Sequence, residues 1–362
     1  MFFLPYWLSA SIKLAIAASV FSILPSYLSA IDLHLEISSV TLGYLATTEL
    51  LGFAIACAIN FFCARYHIKI NDNTALLLLC LCHICSAVIT DVSLFFILRA
   101  IAGVCAGLVV VRSYEVLGRE ENPDAAFGRA IAIQMLTTAM LFLLLPNLME
   151  HVGSGSFFLA LGALVGATLL LKPMWVDGED NEQNSQPVDY GVVSISLGAI
   201  AMVMLTHSAV WSTLSGYATT HHVELRDQGT LFAVGTLFSV AGAILATLSI
   251  VHRKKPLILT AAIGLQCFVV STMLTGDNMY SFIAATCLFQ LLWNLIVPLV
   301  MGTLASGRYA KVVIRFTLAA QTLGAALGPM VLVPGWVLPE ILLFLGITYL
   351  LIVSIMPVRR AV

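Results

Sequence analysis

The sequence predicts an all-α membrane protein with twelve transmembrane helices in two six-helix bundles. Three observations predict it. Of the 362 residues, 60% are hydrophobic and 10% charged, with a mean hydropathy of +1.00. Soluble domains carry about 45–50% apolar and roughly 25% charged residues, because polar groups must cover their exterior. Second, apolar runs near the length of a bilayer crossing recur twelve times. Third, the cations fall in alternate gaps between those runs or at the run ends beside them. The composition excludes an ordinary soluble enzyme, a disordered chain and a secreted disulfide scaffold. The net charge of −2 speaks against nucleic acid as a partner.

In order, the runs are 10–31, 40–63, 74–91, 93–115, 128–149, 155–173, 190–213, 229–251, 256–275, 279–303, 313–334 and 336–357. Phe2, Phe3, Tyr6 and Trp7 precede the first and read as an interfacial aromatic anchor. After Lys13 that run continues for about 18 residues, longer than a signal-peptide core of about 7–15, so it reads as a retained helix. Only Thr90, Asp91 and Ser93 part the third run from the fourth.

Numbering the gaps alternately from an inside N-terminus puts fourteen cations inside: Lys13, Arg65, Lys69, Arg119, Arg129, Lys172, Arg253, Lys254, Lys255, Arg308, Lys311, Arg315, Arg359 and Arg360. Outside there is only Arg226, and Arg99 and Arg112 lie within the fourth run. One missed span would scramble this pattern. The positive-inside rule then places both termini in the cytoplasm; a bacterial inner membrane is the expected location.

The longest polar break, 174–189, holds Asp177, Glu179, Asp180, Glu182 and Asp189 and lacks apolar periodicity. It reads as a cytoplasmic linker between an N-terminal bundle, 1–173, and a C-terminal bundle, 190–362. The fifth and eleventh runs are weakly alike. Each opens on an arginine (Arg129, Arg315), carries a glutamine about two turns in (Gln134, Gln321) and ends at a proline (Pro146, Pro334). This favours duplication, with coincidence among apolar helices as the alternative.

The fourth run reads LFFILRAIAG from Leu94 to Gly103 and then reaches Gly107, so that Arg99, Gly103 and Gly107 form R-x3-G-x3-G. This resembles the fourth-helix motif of the major facilitator superfamily, and the likeness extends to the twelve spans, the inside termini and the central linker. The resemblance implies a secondary transporter in which two bundles rock around a midplane site lined by the first, fourth, seventh and tenth helices. Glycines four apart allow close helix approach. The chain departs from the family in the loop between the second and third spans. There only Arg65 matches G-x3-D-R-x-G-R-R, and Ala64 stands where the aspartate belongs. The Gly-Pro motif expected in the fifth span is replaced by Thr137–Met140, while Gly324, Gly328 and Pro329 form a similar motif in the eleventh.

Glu49 lies nine residues after Val40, about 14 Å into its helix. An ionised carboxylate at that depth costs roughly 2.5–3.5 kcal/mol, so it must be paired or protonated, as a proton carrier is. Arg99 enters from the same side, about 9 Å deep, and can reach Glu49. Glu49, Arg99 and His207 are the proton-coupling candidates. Arg99 is also a candidate counter-ion for an anionic solute, since guanidinium binds carboxylate bidentately. Tyr27, beside Pro25 with Ser22 and Ser26, and Gln134, Gln290, Trp293, Asn294 and Gln321 are the remaining solute-binding candidates. Gln290 and Asn294 share a face with Met301. For each, helix packing is the plainer alternative.

Cys80, Cys82 and Cys85 flank His83, but residues two apart on a helix point about 200° apart, so no metal site or cofactor is expected. The His and acidic residues after the first and seventh spans read as polar loops. No G-x4-G-K-[ST] loop is present, so ATP is not the energy source, and no soluble domain is available for catalysis. The expectation is a monomer in the bilayer that moves a small anionic or zwitterionic organic solute with protons. A proton-coupled exporter of hydrophobic or cationic compounds is the runner-up, and a non-transporting sensor on the same fold a further alternative.

Overall fold

The structure, a computed structural model, describes residues 4–66, 71–121, 123–174, 189–305, 309–332 and 337–355. The linker positions 175–188, with Asp177, Glu179, Asp180 and Glu182, lie outside the described residues. So do Phe2, Phe3, Lys69, Arg308, Pro334, Arg359 and Arg360, and the side chains of Ala64, Arg65, Lys311 and Arg315. Among the described residues all regular structure is helical. That follows from the apolar composition, because in lipid each backbone N–H and C=O must be satisfied within the segment itself. Among the described residues, eight helices are long and apolar enough to cross a membrane, and two shorter apolar ones, Asp72–Ser86 and Gly155–Thr168, accompany them.

The chain divides into two compact units. One is Met1–Asp180 with Leu214–Gly216 and Glu224–Ala233; the other is Asn181–Thr213, Tyr217–Val223 and Val234–Val362. The first unit opens with α1 (Tyr6–Ala17), α2 (Ser19–Ser22) and α3 (Leu24–Leu35), where the sequence predicts one uninterrupted span. Pro25 explains the second break. It lacks an N–H and its ring crowds the carbonyl four residues back, whereas at the start of α3 it is tolerated. Hydrogen bonds bridge the breaks, from Ala18 N to Leu14 O at 2.9 Å, from Ile23 N to Ser19 O at 2.8 Å and from Tyr27 N to Ile23 O at 3.0 Å.

Next come α4 (Ser39–Arg65), α5 (Asp72–Ser86), α6 (Val92–Leu117), α7 (Pro123–Val152) and α8 (Gly155–Thr168). Asp91 caps α6 by accepting from Leu94 N at 2.8 Å. Helices α4 and α6 touch backbone to backbone. A Cβ on Gly103 would stand 1.9 Å from Glu49 O, one on Gly52 2.6 Å from Val104 N, and one on Gly107 2.8 Å from Phe53 Cα. Only glycine fits such a crossing.

Lys13, counted in the sequence with the cytoplasmic cations, is fully buried. Its Nζ donates to Asp72 Oδ2 at 2.6 Å and to Lys172 O at 2.9 Å. Asp72 Oδ1 accepts from Met174 N at 3.1 Å, so one ion pair ties α1, α5 and the chain beyond α8. On the same side Arg129 lies over the Trp7 ring at 4.2 Å and Lys172 over the Tyr6 ring at 5.3 Å. Lys13→Met strands the buried carboxylate and lowers stability by about 3–5 kcal/mol, whereas adding Asp72→Leu restores much of the loss. Thermal unfolding of the purified protein in detergent checks this, and equal losses in the single and double variants would contradict it.

The second unit holds most of α9 (Tyr190–Thr220) and α10 (Leu225–Thr247), then α11 (Ser249–Arg253), α12 (Lys255–Thr275), α13 (Met279–Ala305), α14 (Ala310–Leu327) with a 3-10 turn at Gly328–Met330, and α15 (Val337–Ile355). Asp189 caps α9 by accepting from Gly191 N at 2.9 Å. Close crossings recur here. A Cβ on Gly324 would meet Ala201 O at 2.1 Å, and one on Gly328 would meet Ala209 N at 2.6 Å. Ser208 Oγ seals that seam by donating to Ala325 O at 2.7 Å.

Candidate functional site

Three of the sequence candidates meet inside the first unit. Tyr27 on α3, Glu49 on α4 and Arg99 on α6 are each at most 1% exposed. The Tyr27 hydroxyl donates to Glu49 Oε2 and accepts from Arg99 Nη1 at 2.9 Å. Nη1 also lies 3.4 Å from Glu49 Oε1. The other arginine nitrogen, Nη2, donates to Ser86 Oγ at 2.6 Å and to Cys82 O at 3.1 Å, both on α5. Ser86 Oγ in turn donates to Cys82 O at 2.6 Å. A guanidinium away from water is costly unless its donors are matched; here both Nη groups are, and Nε has no hydrogen-bond partner.

Local packing sets this geometry. Glu49 O is the atom against which Gly103 rests, so the glycine motif of α6 fixes the height of the carboxylate on α4. The Tyr27 ring packs on Phe157 and Phe158 of α8, both at 6.1 Å between centroids. Phe95, one turn before Arg99, lies 5.4 Å from the guanidinium carbon. Toward the end of α3, His34 Nε2 donates to Ile89 O at 3.1 Å, and its Nδ1 lies 3.2 Å from Ser154 Oγ. This histidine, read from sequence as a loop residue, ties the ends of three helices.

The second unit holds a separate cluster. His207 Nδ1 donates to Val203 O at 2.6 Å, which leaves Nε2 to accept from Gln266 Nε2 at 2.8 Å. Trp293 stacks on the His207 ring at 5.0 Å, and Phe289 lies 5.8 Å away. Gln266 Oε1 is buried without a partner. One turn along α13, Ser239 Oγ donates to Gln290 Oε1 at 2.9 Å and accepts from Asn294 Nδ2 at 2.9 Å. Gln290 is buried and Asn294 half-buried.

The two symmetric glutamines stand apart from these clusters. Gln134 Nε2 donates to Ser22 Oγ at 3.2 Å within the first unit, and Gln321 Nε2 lies 3.1 Å from Met301 Sδ within the second. Cys80 Sγ donates to Gly162 O at 3.2 Å, and among the described residues no three metal-ligating side chains converge. Ser86, Ser239 and Gln266 belong to these clusters and are not among the sequence candidates. Gln266 had a signal, since it lies ten residues into its span, the depth criterion that singled out Glu49. The two serines had none.

A helical membrane protein with an ionisable triad sealed inside one helix unit is the class that fold and site define. No protein-family model and no curated protein sequence matches the chain. Solved structures do. The nucleoside transporter NupG, in a mutant form, superposes with a TM-score of 0.73 at 11% identity, over 97% of this chain and 99% of that one. A D-xylose-proton symporter gives a TM-score of 0.72 at 13% identity, over 97% of each chain. The POT family transporter PepTSo gives 0.70 at 13% identity, over 97% of this chain and 96% of that one. The protein is a multi-pass membrane protein, and its fold is that of the major facilitator transporters.

Proposed function

We propose that the protein is a proton-coupled secondary transporter of the major facilitator superfamily, moving a small organic solute by alternating access. The observation that carries this reading is Glu49, a carboxylate 1% exposed and held by a tyrosine and an arginine that are themselves buried. A carboxylate so placed changes charge only by taking up a proton, and intramembrane groups of this kind mark proton and solute pathways. The proposal includes twelve spans, grouped 1–173 and 190–362 about the linker 174–189. Here α1 to α3 count as one crossing, α10 with α11 as one, and α14 with its 3-10 turn as one. It also includes cytoplasmic termini, a bacterial inner membrane and a monomeric state.

An anionic or zwitterionic solute fits Arg99 in a particular way. Both Nη groups are engaged within the protein, one of them by Tyr27 and Glu49. A solute carboxylate therefore gains Arg99 when Glu49 gives it up, and protonation of Glu49 is the event that releases it. Competition for one guanidinium then links proton and solute, a coupling between two ligands of the kind that reciprocity requires. Gln290, Trp293, Asn294 and Gln321 supply amide and aromatic contacts in the second unit. His207 stands as a further proton-binding candidate behind Trp293. Export of cationic compounds asks Glu49 to face the solute, yet both its oxygens are already engaged.

Purified protein in proteoliposomes with an imposed pH gradient tests the reading. Uptake from a panel of organic acids responds to the gradient, and uptake of cationic dyes does not. Gradient-driven dye flux without acid flux would contradict the solute class. Binding without flux of any member would replace transport by sensing.

A further inference from the structure

The direct contact between Arg99 and Glu49 is weak in form. It is single and 3.4 Å long, against about 2.7–2.9 Å for a good charge-assisted bond. The shorter route runs through the Tyr27 hydroxyl, which accepts from Arg99 Nη1 at 2.9 Å and donates to Glu49 Oε2. Tyr27 is fully buried, its ring packed against both Phe157 and Phe158, and its backbone follows the Pro25 restart of α3. It is a fixed post. Arg99 is fixed as well, at its far side by Ser86 Oγ and Cys82 O.

Resting on the transport reading above, we propose that Tyr27 is the positioning residue of the Glu49–Arg99 pair. Its phenol oxygen is a neutral acceptor that stays on Arg99 whether or not Glu49 carries a charge. When Glu49 takes a proton, the guanidinium loses its carboxylate yet keeps Tyr27, Ser86 and the Cys82 carbonyl. The cost of leaving a buried cation unpaired is thereby reduced, and the carboxyl group is the part free to change partners. Tyr27 from α3 and Arg99 from α6 hydrogen-bond Glu49. Of the buried α5 groups, Cys82 interacts electrostatically with both Arg99 and Glu49, and His83 with Arg99. Tyr27 thus belongs to the coupling machinery and not to the solute-facing wall.

Tyr27→Phe keeps the ring packing and removes the oxygen. In proteoliposomes, accumulation driven by a pH gradient should fall about tenfold further than solute exchange at equal pH, within the range of ordinary coupling free energies. The pH profile of uptake should also be displaced. Equal losses in both modes would assign Tyr27 to solute binding or to structure, and no loss in either would make its hydroxyl idle; both overturn the proposal. A double-mutant cycle with Glu49→Gln keeps the test decisive if Tyr27→Phe is less stable. Once Glu49 is neutral, Tyr27→Phe should add little to the coupling defect, and additive losses would overturn the proposal. If Glu49→Gln itself retains full gradient response, the transport reading fails. If Glu49→Gln loses it while Tyr27→Phe behaves as wild type, only the role of Tyr27 fails.

Discussion

Replacing Glu49 by glutamine removes the response of solute accumulation to a pH gradient, by roughly 5–150-fold for a coupling free energy of about 1–3 kcal/mol. The substitution is nearly isosteric. The amide oxygen can still accept from Tyr27, and Arg99 keeps Ser86 Oγ and Cys82 O, so the triad stays packed while its charge is fixed. Glutamine mimics the protonated carboxyl in shape but exchanges no proton, which separates coupling from packing. Uptake should become insensitive to the pH of either compartment. A variant that kept full pH-dependent accumulation would remove Glu49 from the mechanism.

Gly103→Ala is expected to have the largest structural effect. Its Cβ would lie 1.9 Å from Glu49 O and 3.1 Å from Glu49 Cα, and both are backbone atoms that cannot rotate away. Helices α4 and α6 must separate, and overpacking of this kind costs about 1–3 kcal/mol. Because the clash falls on Glu49 itself, the carboxylate moves away from Tyr27 and Arg99, and coupling is lost together with stability. Gly198 of α9 gives the contrast: a Cβ there meets nothing within 4 Å. Gly198→Ala should be neutral or gain about 0.4–1 kcal/mol by restricting the unfolded chain. Thermal unfolding and gradient-driven uptake of the two variants check both statements. Equal behaviour would show that the α4–α6 crossing tolerates side chains.

What the sequence made readable was depth and spacing. Glu49 and Arg99 stood out because an ionisable residue far from either end of an apolar run has few explanations. Gly103 and Gly107 stood out by their four-residue spacing. Features set by the rotation of helices against one another stayed hidden. Tyr27 beside Pro25 reads as an amphipathic wall residue, and only the packing of α3 against α4 and α8 turns its hydroxyl inward. Lys13 sits at the start of an apolar run and so reads as an interfacial cation. Its burial depends on Asp72, 59 residues later, and on the carbonyl of Lys172. Ser86 and Ser239 carry no signal because small hydroxyls are common in membrane helices. Helix lengths also diverged. The runs 74–91 and 155–173 fold into helices of 15 and 14 residues, their remaining positions forming turns and irregular chain.

The central claim is that solute moves together with protons that pass through Glu49. Proteoliposomes holding a trapped pH-sensitive dye, given a solute gradient and no initial pH difference, test it most directly. Coupling through Glu49 requires that solute flux changes the internal pH in the wild-type protein, and that Glu49→Gln abolishes this change. Solute flux without any proton movement in the wild type would contradict it.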